Sequence, residues 1–302
     1  MDERIKPTAH YHLPGLFEFY EFYRVFLPLF YEHREWFYDW CDIGSIYGAP
    51  ADCLWDGGRT GYGDDDPREV LSLLREYGIS ARLTFSNSLL REEHLSDNKC
   101  TGLCALFNES ETPRNGVIVH SELLLDYLKR TYPGLYLVSS TTKVLTDFRD
   151  LRRELEREDF RSVVPDFRLN KDFKRLEALP QSRKDKVEFL CNECCDFGCR
   201  ERKACYEAVS RKNLGECGHE HRCAAPDAGG YRFSKAMANP GFIGIDEIQN
   251  VYLPMGFSQF KIEGRGLGSA LILEFLLYYM VKPAYHLQVR EEIYLDNMLD
   301  LF

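Results

Sequence analysis

No stretch of this chain is both long and apolar enough to cross a bilayer. The longest apolar run, residues 267–281, contains Glu274 and stops at Lys282-Pro283, short of the roughly 20 residues a spanning helix needs. It reads as a buried helix, and no membrane partner is expected. Residues 1–7 mix acids, bases and polar groups, so the charged, apolar and small-residue succession of a secretory signal is missing. There is no Ser/Gly/Pro-rich linker to cut the chain in two, no internal repeat and no low-complexity tract. Ser-His-Asp, Cys-His and H-E-x-x-H arrangements are not visible, which leaves a proteolytic reading with little support from residues. Positive charge is short as well: 38 Lys and Arg face 48 Asp and Glu, for a net charge of −10. That balance disfavours a phosphate backbone as the main partner, with one local basic exception at Arg200, Arg202, Lys203, Arg211 and Lys212.

Cysteine, by contrast, is concentrated in one place. Seven of the eleven fall between Cys191 and Cys223, in the order C-x2-C-C-x3-C-x5-C-x11-C-x5-C. Eleven is odd, and a 302-residue chain that is 44% hydrophobic buries a core without disulfides, so a disulfide framework is not expected and a reducing cytoplasm is. Thiolates this close together converge on a soft cation. Cys195, Cys199 and Cys205 lie around a turn containing Gly198 and the start of a helix over 200–210, where they can face one centre. Cys223, ahead of Ala224-Ala225-Pro226, is the expected fourth ligand in preference to Cys217, with Cys191 and Cys194 in reserve. Spacing and softness favour an iron–sulfur cluster. The alternative is a structural zinc, with His219 and His221 joining Cys217 and Cys223, either alone or as a second site beside the cluster.

Eight β-rich runs alternate with helical patterns, at 11–16, 40–45, 81–86, 116–120, 135–139, 162–167, 187–190 and 257–262. Helix starts and stops stand between them: Asp66-Pro67 to Gly78, Ser121 to Pro133-Gly134, and Thr146 opening Phe148, Leu151 and Leu155. The expectation is α/β, a (β/α)8 TIM-like barrel over residues 1–302, with residues 191–240 as a Cys-rich insertion after strand seven. A doubly wound open sheet is the competitor. In a barrel the loops after the strands form the active site, and polar groups do collect there, from Glu18 and Asp42 through Ser86-Asn87-Ser88, His120, Ser139–Thr142 and Asn192-Glu193 to Glu263.

Three pieces of this sequence together resemble one family. Phe260-Lys261-Ile262-Glu263-Gly264-Arg265 is preceded by Leu253-Pro254-Met255-Gly256, and the cysteine cluster directly follows Val187-Glu188-Phe189-Leu190. From about Asp166 onward the chain resembles the U32 "peptidase" family. The resemblance implies a barrel enzyme whose cysteines after strand seven bind a [4Fe-4S] cluster. It also implies kinship with oxygen-independent hydroxylases of the ubiquinone pathway and enzymes that hydroxylate tRNA or rRNA bases; the peptidase label comes from collagenase-like relatives. The chain departs from the pattern in carrying more cysteines than the usual four, and Cys195-Asp196-Phe197-Gly198-Cys199 with Cys205 resembles one branch only.

The remaining candidates each have a chemical and a structural reading. Glu263 and Arg265, two apart, point to the same side of a strand, where they hold an anionic or hydroxylated substrate or form an ion pair closing the barrel. Asp166 and Arg168 repeat the alternation and the choice. His120 is an acid–base group at a strand end or a packed, hydrogen-bonded residue. The glycine-rich run at 57–63 lacks G-K-[ST] and runs into Asp64-Asp65-Asp66, so it reads as a lid or turn, with Asp66 capping the next helix. The aromatic crowd over 11–40 is a subunit interface or a thick aromatic core. Taken together, the sequence predicts a cytoplasmic iron–sulfur barrel enzyme doing oxygen-independent redox or hydroxylation chemistry on a small molecule or nucleobase, with an electron donor it does not identify. A U32-type peptidase is one alternative. Another is a zinc-stabilised, non-enzymatic scaffold that offers its aromatic N-terminal surface to a partner; on any of these readings that segment is where a homo- or hetero-oligomer would form.

Overall fold

The structure, a computed structural model, describes residues 8–58, 63, 65–110, 112–217, 221–223 and 233–299. The centre of the glycine-rich run, His219 and Ala224-Ala225-Pro226 lie outside the described residues. Eight strands form, each within one of the runs expected from sequence or overlapping it. They are β1 (Ala9–Pro14), β2 (Cys41–Gly48), β3 (Ser80–Phe85), β4 (Gly116–Val119), β5 (Tyr136–Ser139), β6 (Phe160–Val163), β7 (Glu188–Leu190) and β8 (Gln259–Lys261). All neighbours pair in parallel in the order β6-β5-β4-β3-β2-β1-β8-β7. A parallel bridge between Val163 and Val187, with the Val163 N–H donating to the Lys186 carbonyl at 2.7 Å, joins the two ends. The sheet therefore closes on itself as a (β/α)8 barrel, and the open doubly wound alternative is overturned by that last pairing.

Local chemistry sets the helix boundaries. Asp66 accepts from the Arg68 N–H at 2.8 Å to cap Pro67–Glu76, and Gly78, at φ +65°, takes the left-handed turn that ends it. Ser121 caps Glu122–Thr131. The helix expected from Thr146 is capped instead by Asp147, which accepts from Arg149 N–H; a carboxylate one residue later is the stronger acceptor at that end.

The aromatic N-terminal segment is core. Helix Tyr20–Glu32 buries Phe22, Tyr23, Phe26, Leu27 and Phe30, and Phe26 meets Phe37 edge to face at 5.9 Å. The final helix, His286–Leu299, packs on it. Removing each such ring from water stabilises the layer by about 1.5–3 kcal/mol. The barrel's interior, in contrast, is polar: His12, Ser45, Arg82, Glu188 and Lys261 are all buried within it.

Candidate active site at the barrel mouth

A cavity of about 510 Å³ opens where the strands end. Its wall has four parts. The end of β8 and the segment leaving it supply Lys261, Glu263 and Arg265; hydroxyls come from Thr84 near the end of β3 and Ser86 just after it, and from Ser140, Thr141 and Thr142 after β5. Cys194, Cys195, Cys205 and Cys223 form a third side, and Tyr47, Ile118, Leu190 and Leu267 give apolar surface. Period-two alternation explains the first part: from Lys261 onward every second residue faces the same side.

The helix Arg202–Asn213 crosses the mouth and carries Cys205 and Tyr206 into the wall. Both its ends are fastened. Arg202 Nη1 lies 2.6 Å from Glu193 Oε2, and its Nε lies 3.4 Å from Asp166 Oδ2. At the other end the Asn213 side chain donates to the Asp56 carbonyl at 2.6 Å, Asn87 donates to the Ser210 carbonyl at 3.1 Å, and the Ser88 N–H donates to Ser210 Oγ at 3.1 Å. The loop that carries Asp56 comes close to the barrel as well. A Cβ on Gly57 would stand 2.2 Å from the Ser86 carbonyl oxygen, so only glycine fits there.

Glu263 and Arg265 both reach the cavity, but their roles separate. Arg265 Nε donates to Glu18 at 2.9 Å, Nη1 and Nη2 each lie 3.2 Å from an oxygen of Asp56, and Nη2 also meets the Ala49 carbonyl at 3.1 Å. Burial works against the Arg265 charge, yet Asp56 and Glu18 outweigh it and hold the guanidinium above its ordinary value. Arg265 is thus a strut between the loops after β1, β2 and β8. Asp166 and Arg168 lie outside the cavity wall, where the guanidinium clasps both carboxylate oxygens, at 2.6 and 2.9 Å, and donates to the Cys199 carbonyl at 2.6 Å. This pair fastens the cysteine segment to β6. His120 also stands behind the wall, its Nδ1 at 2.8 Å from Thr142 Oγ1; burial first, then Lys143 and Lys203, press its pKa down to about 4.

Below the cavity, inside the barrel, Glu188 takes a 2.6 Å contact from Arg82 and lies 3.5 Å from His12 and 3.8 Å from Lys261. Burial would raise the Glu188 carboxyl, but Arg82, His12 and Lys261 overcome it and hold the pKa to about 2. His12 is pressed to about 3 by burial and by Arg82. Lys261 is brought down to about 7 by burial, with Arg82 and Arg265 adding to it against Glu188 and Glu263. Lys261 is a site residue that the sequence motifs alone do not single out. The signal was there, because Lys261, Glu263 and Arg265 alternate.

These groups set an acid limit. His12 titrates near 6.5 when unfolded and near 3 when folded, so between those values the unfolded chain binds more protons and stability falls as pH falls. His120 acts in the same direction down to about 4, and Glu188 withdraws its contribution from about 4.5 towards about 2. Midpoints of thermal unfolding should therefore drop steadily from about pH 6.5 to pH 3; a flat profile over that range would contradict these environments.

Cys195, Cys205 and Cys223 reach the cavity as a group. Cys199 lies outside its wall, and Cys194 is in it. Soft thiol donors sharing one cavity suit a soft metal group by donor type. Among the described residues no three Cys, His, Asp or Glu side chains stand close enough to form a ligand set. Cys41, Cys53, Cys100, Cys104 and Cys191 are buried elsewhere.

No family profile and no curated protein sequence matches the chain. Among solved structures it is similar to that of the U32 peptidase Mk0906, with a TM-score of 0.51 and 13% identity, over 87% of this chain and 96% of the other. At that identity the likeness concerns architecture. The chain has a U32-like TIM-barrel fold.

Proposed function

We propose that this chain is an oxygen-independent redox enzyme of hydroxylase type, acting on a small molecule or nucleobase held in the mouth cavity beside a cysteine-bound iron–sulfur cluster. The observation that supports it most is the sharing of one wall by Cys194, Cys195, Cys205 and Cys223 with Lys261, Glu263 and a set of hydroxyls. About 510 Å³ is the size of a small-molecule site. Cys195, Cys205 and Cys223 would hold the cluster with Cys194 as the fourth donor, and a cluster so held supplies single electrons. The hydroxyls orient the substrate, Glu263 accepts a proton or a hydroxyl contact, and the Arg202–Asn213 helix excludes water. Arg265, its fork already engaged by two carboxylates, keeps the loops in place.

Peptide hydrolysis, the activity in the name of the structural neighbour, is the second reading. Ser45, His12 and Glu188 do form a chain of contacts, at 2.8 and 3.5 Å. However, Ser45 is fully buried and the His12 imidazole, at about 3, is a feeble base at neutral pH. Redox chemistry at the mouth is therefore preferred.

Iron measured in cysteine variants purified without oxygen tests the proposal. Cys195→Ala and Cys205→Ala should lose most of the iron, and Cys194→Ala should lose more than Cys199→Ala. Cys53→Ala and Cys104→Ala, buried away from the cavity, should keep it. Full iron in both Cys195→Ala and Cys205→Ala would overturn this assignment.

A further inference from the structure

Around the mouth cavity, Lys261 Nζ, Thr84 Oγ1, Ser86 Oγ and Thr141 Oγ1 are buried with no hydrogen-bond partner among the described residues. Buried polar groups are nearly always paired, and leaving one unpaired costs folding free energy. Four around a single cavity therefore mark positions for the atoms of a ligand. Lys261 is the only amine of the four, and it is 5% exposed.

The surroundings of Lys261 suit a nucleophile. Its Nζ sits 3.4 Å from the centre of the Tyr47 ring, and the nearest Glu188 oxygen is 3.8 Å away, beyond hydrogen-bond reach. The charged groups that face it are Glu188 from β7, Arg82 from β3, and Glu263 and Arg265 from beyond β8, with His12 of β1 on the far side of Glu188. Burial and two guanidiniums outweigh the two carboxylates and bring the amine to about 7, so a large share of it is unprotonated at neutral pH.

We infer that Lys261 is a carbonyl-reactive lysine, forming an imine with a small oxo compound whose other oxygen atoms are held by the hydroxyls of Thr84, Ser86 and Thr141. The Nζ lone pair attacks the carbonyl carbon, the C=O π pair moves to oxygen, and one amine proton passes to that oxygen to give the carbinolamine. The second amine proton then leaves with the hydroxyl as water, and the C=N bond forms. Nothing is oxidised or reduced. The Glu188 carboxylate stabilises the cationic form of the imine from below. This reading rests on the mouth cavity being the substrate site, and it is independent of what the cysteines hold.

Trapping with glyoxylate tests it. The full-length protein is incubated with glyoxylate and cyanoborohydride at neutral pH. Hydride addition to the imine carbon leaves a stable secondary amine, which is located by peptide mass spectrometry. Lys261 should be labelled on the order of a thousandfold faster than an ordinary exposed lysine, because each pKa unit changes the neutral fraction tenfold. Lys261→Arg keeps a cation beside Glu188 and should abolish the label on that peptide while the circular dichroism spectrum and the iron content stay unchanged. Labelling of exposed lysines with Lys261 untouched in folded wild-type protein would overturn the inference. Labelled Lys261 in a protein whose cysteine variants all keep iron would remove the cluster assignment and leave the imine standing.

Discussion

Glu188→Ala should lower the stability of the protein by about 3–5 kcal/mol, the cost of stripping one partner from a buried ion pair. Glu188 is fully buried, and Arg82 reaches it at 2.6 Å. Without the carboxylate, Arg82 keeps the Tyr136 hydroxyl at 2.8 Å as a neutral acceptor, and Lys261 loses its nearest counter-charge. Arg82 would then keep its charge inside the barrel without this carboxylate, and Lys261, no longer held up by Glu188, would shift further towards the neutral amine. Glu188→Gln retains an acceptor but not the charge, so its loss should be smaller than that of alanine. Urea unfolding of the two variants gives the comparison, and a loss under about 1 kcal/mol for Glu188→Ala, the worth of a surface pair, would mean that this network is not the barrel's internal brace.

Arg265→Ala should be comparably damaging, because it removes the guanidinium that contacts the carboxylates of both Glu18 and Asp56, at 1% and 2% side-chain exposure. A loss of about 3–5 kcal/mol is expected there. Arg265→Lys keeps the charge but cannot span two carboxylates and a carbonyl with one ammonium, so its cost should be intermediate, about 1–3 kcal/mol. The sequence left open whether Arg265 binds substrate or closes the barrel, and the contacts of its guanidinium with Glu18, Asp56 and the Ala49 carbonyl are those of a closing strut. Thermal unfolding discriminates between the two roles: an Arg265→Ala protein as stable as the parent would return Arg265 to the substrate.

What the sequence conveyed was local. Val117-Ile118-Val119 and Leu137-Val138 are short apolar runs bounded by turn residues, as buried parallel strands must be, and Asp66 and Ser121 announce helix starts through their side-chain oxygens. Eight such runs separated by helices leave few architectures. Closure itself came only with the Val163 and Val187 pairing, which no local pattern encodes. The same limit applied to charges. Arg265 finds Glu18 at a separation of 247 residues, and Arg82 finds Glu188 at 106, so alternation identified Arg265 as inward-facing without showing its partners. The aromatic crowd over 11–40 was ambiguous for a related reason: one helix buries Phe22, Tyr23, Phe26 and Phe30, with Phe26 and Phe30 meeting Phe37, and also packs against the final helix, and a pattern covering several faces looks like a surface until those layers are seen. For the cysteines the difference lay in two residues. The helix begins at Arg202 rather than Arg200; Cys199 lies in the turn before it, as expected, with its carbonyl held by Arg168, while Cys205 on the first helical turn faces the cavity.

The metal content and optical spectrum of protein purified without oxygen bear most directly on the proposal that the barrel mouth is a cysteine-held redox site. The expected protein is brown, contains about four irons and four sulfides per chain, and bleaches in air because one of its expected ligands, Cys223, is exposed. A colourless protein with stoichiometric zinc, or with no metal and its thiols free, would contradict it.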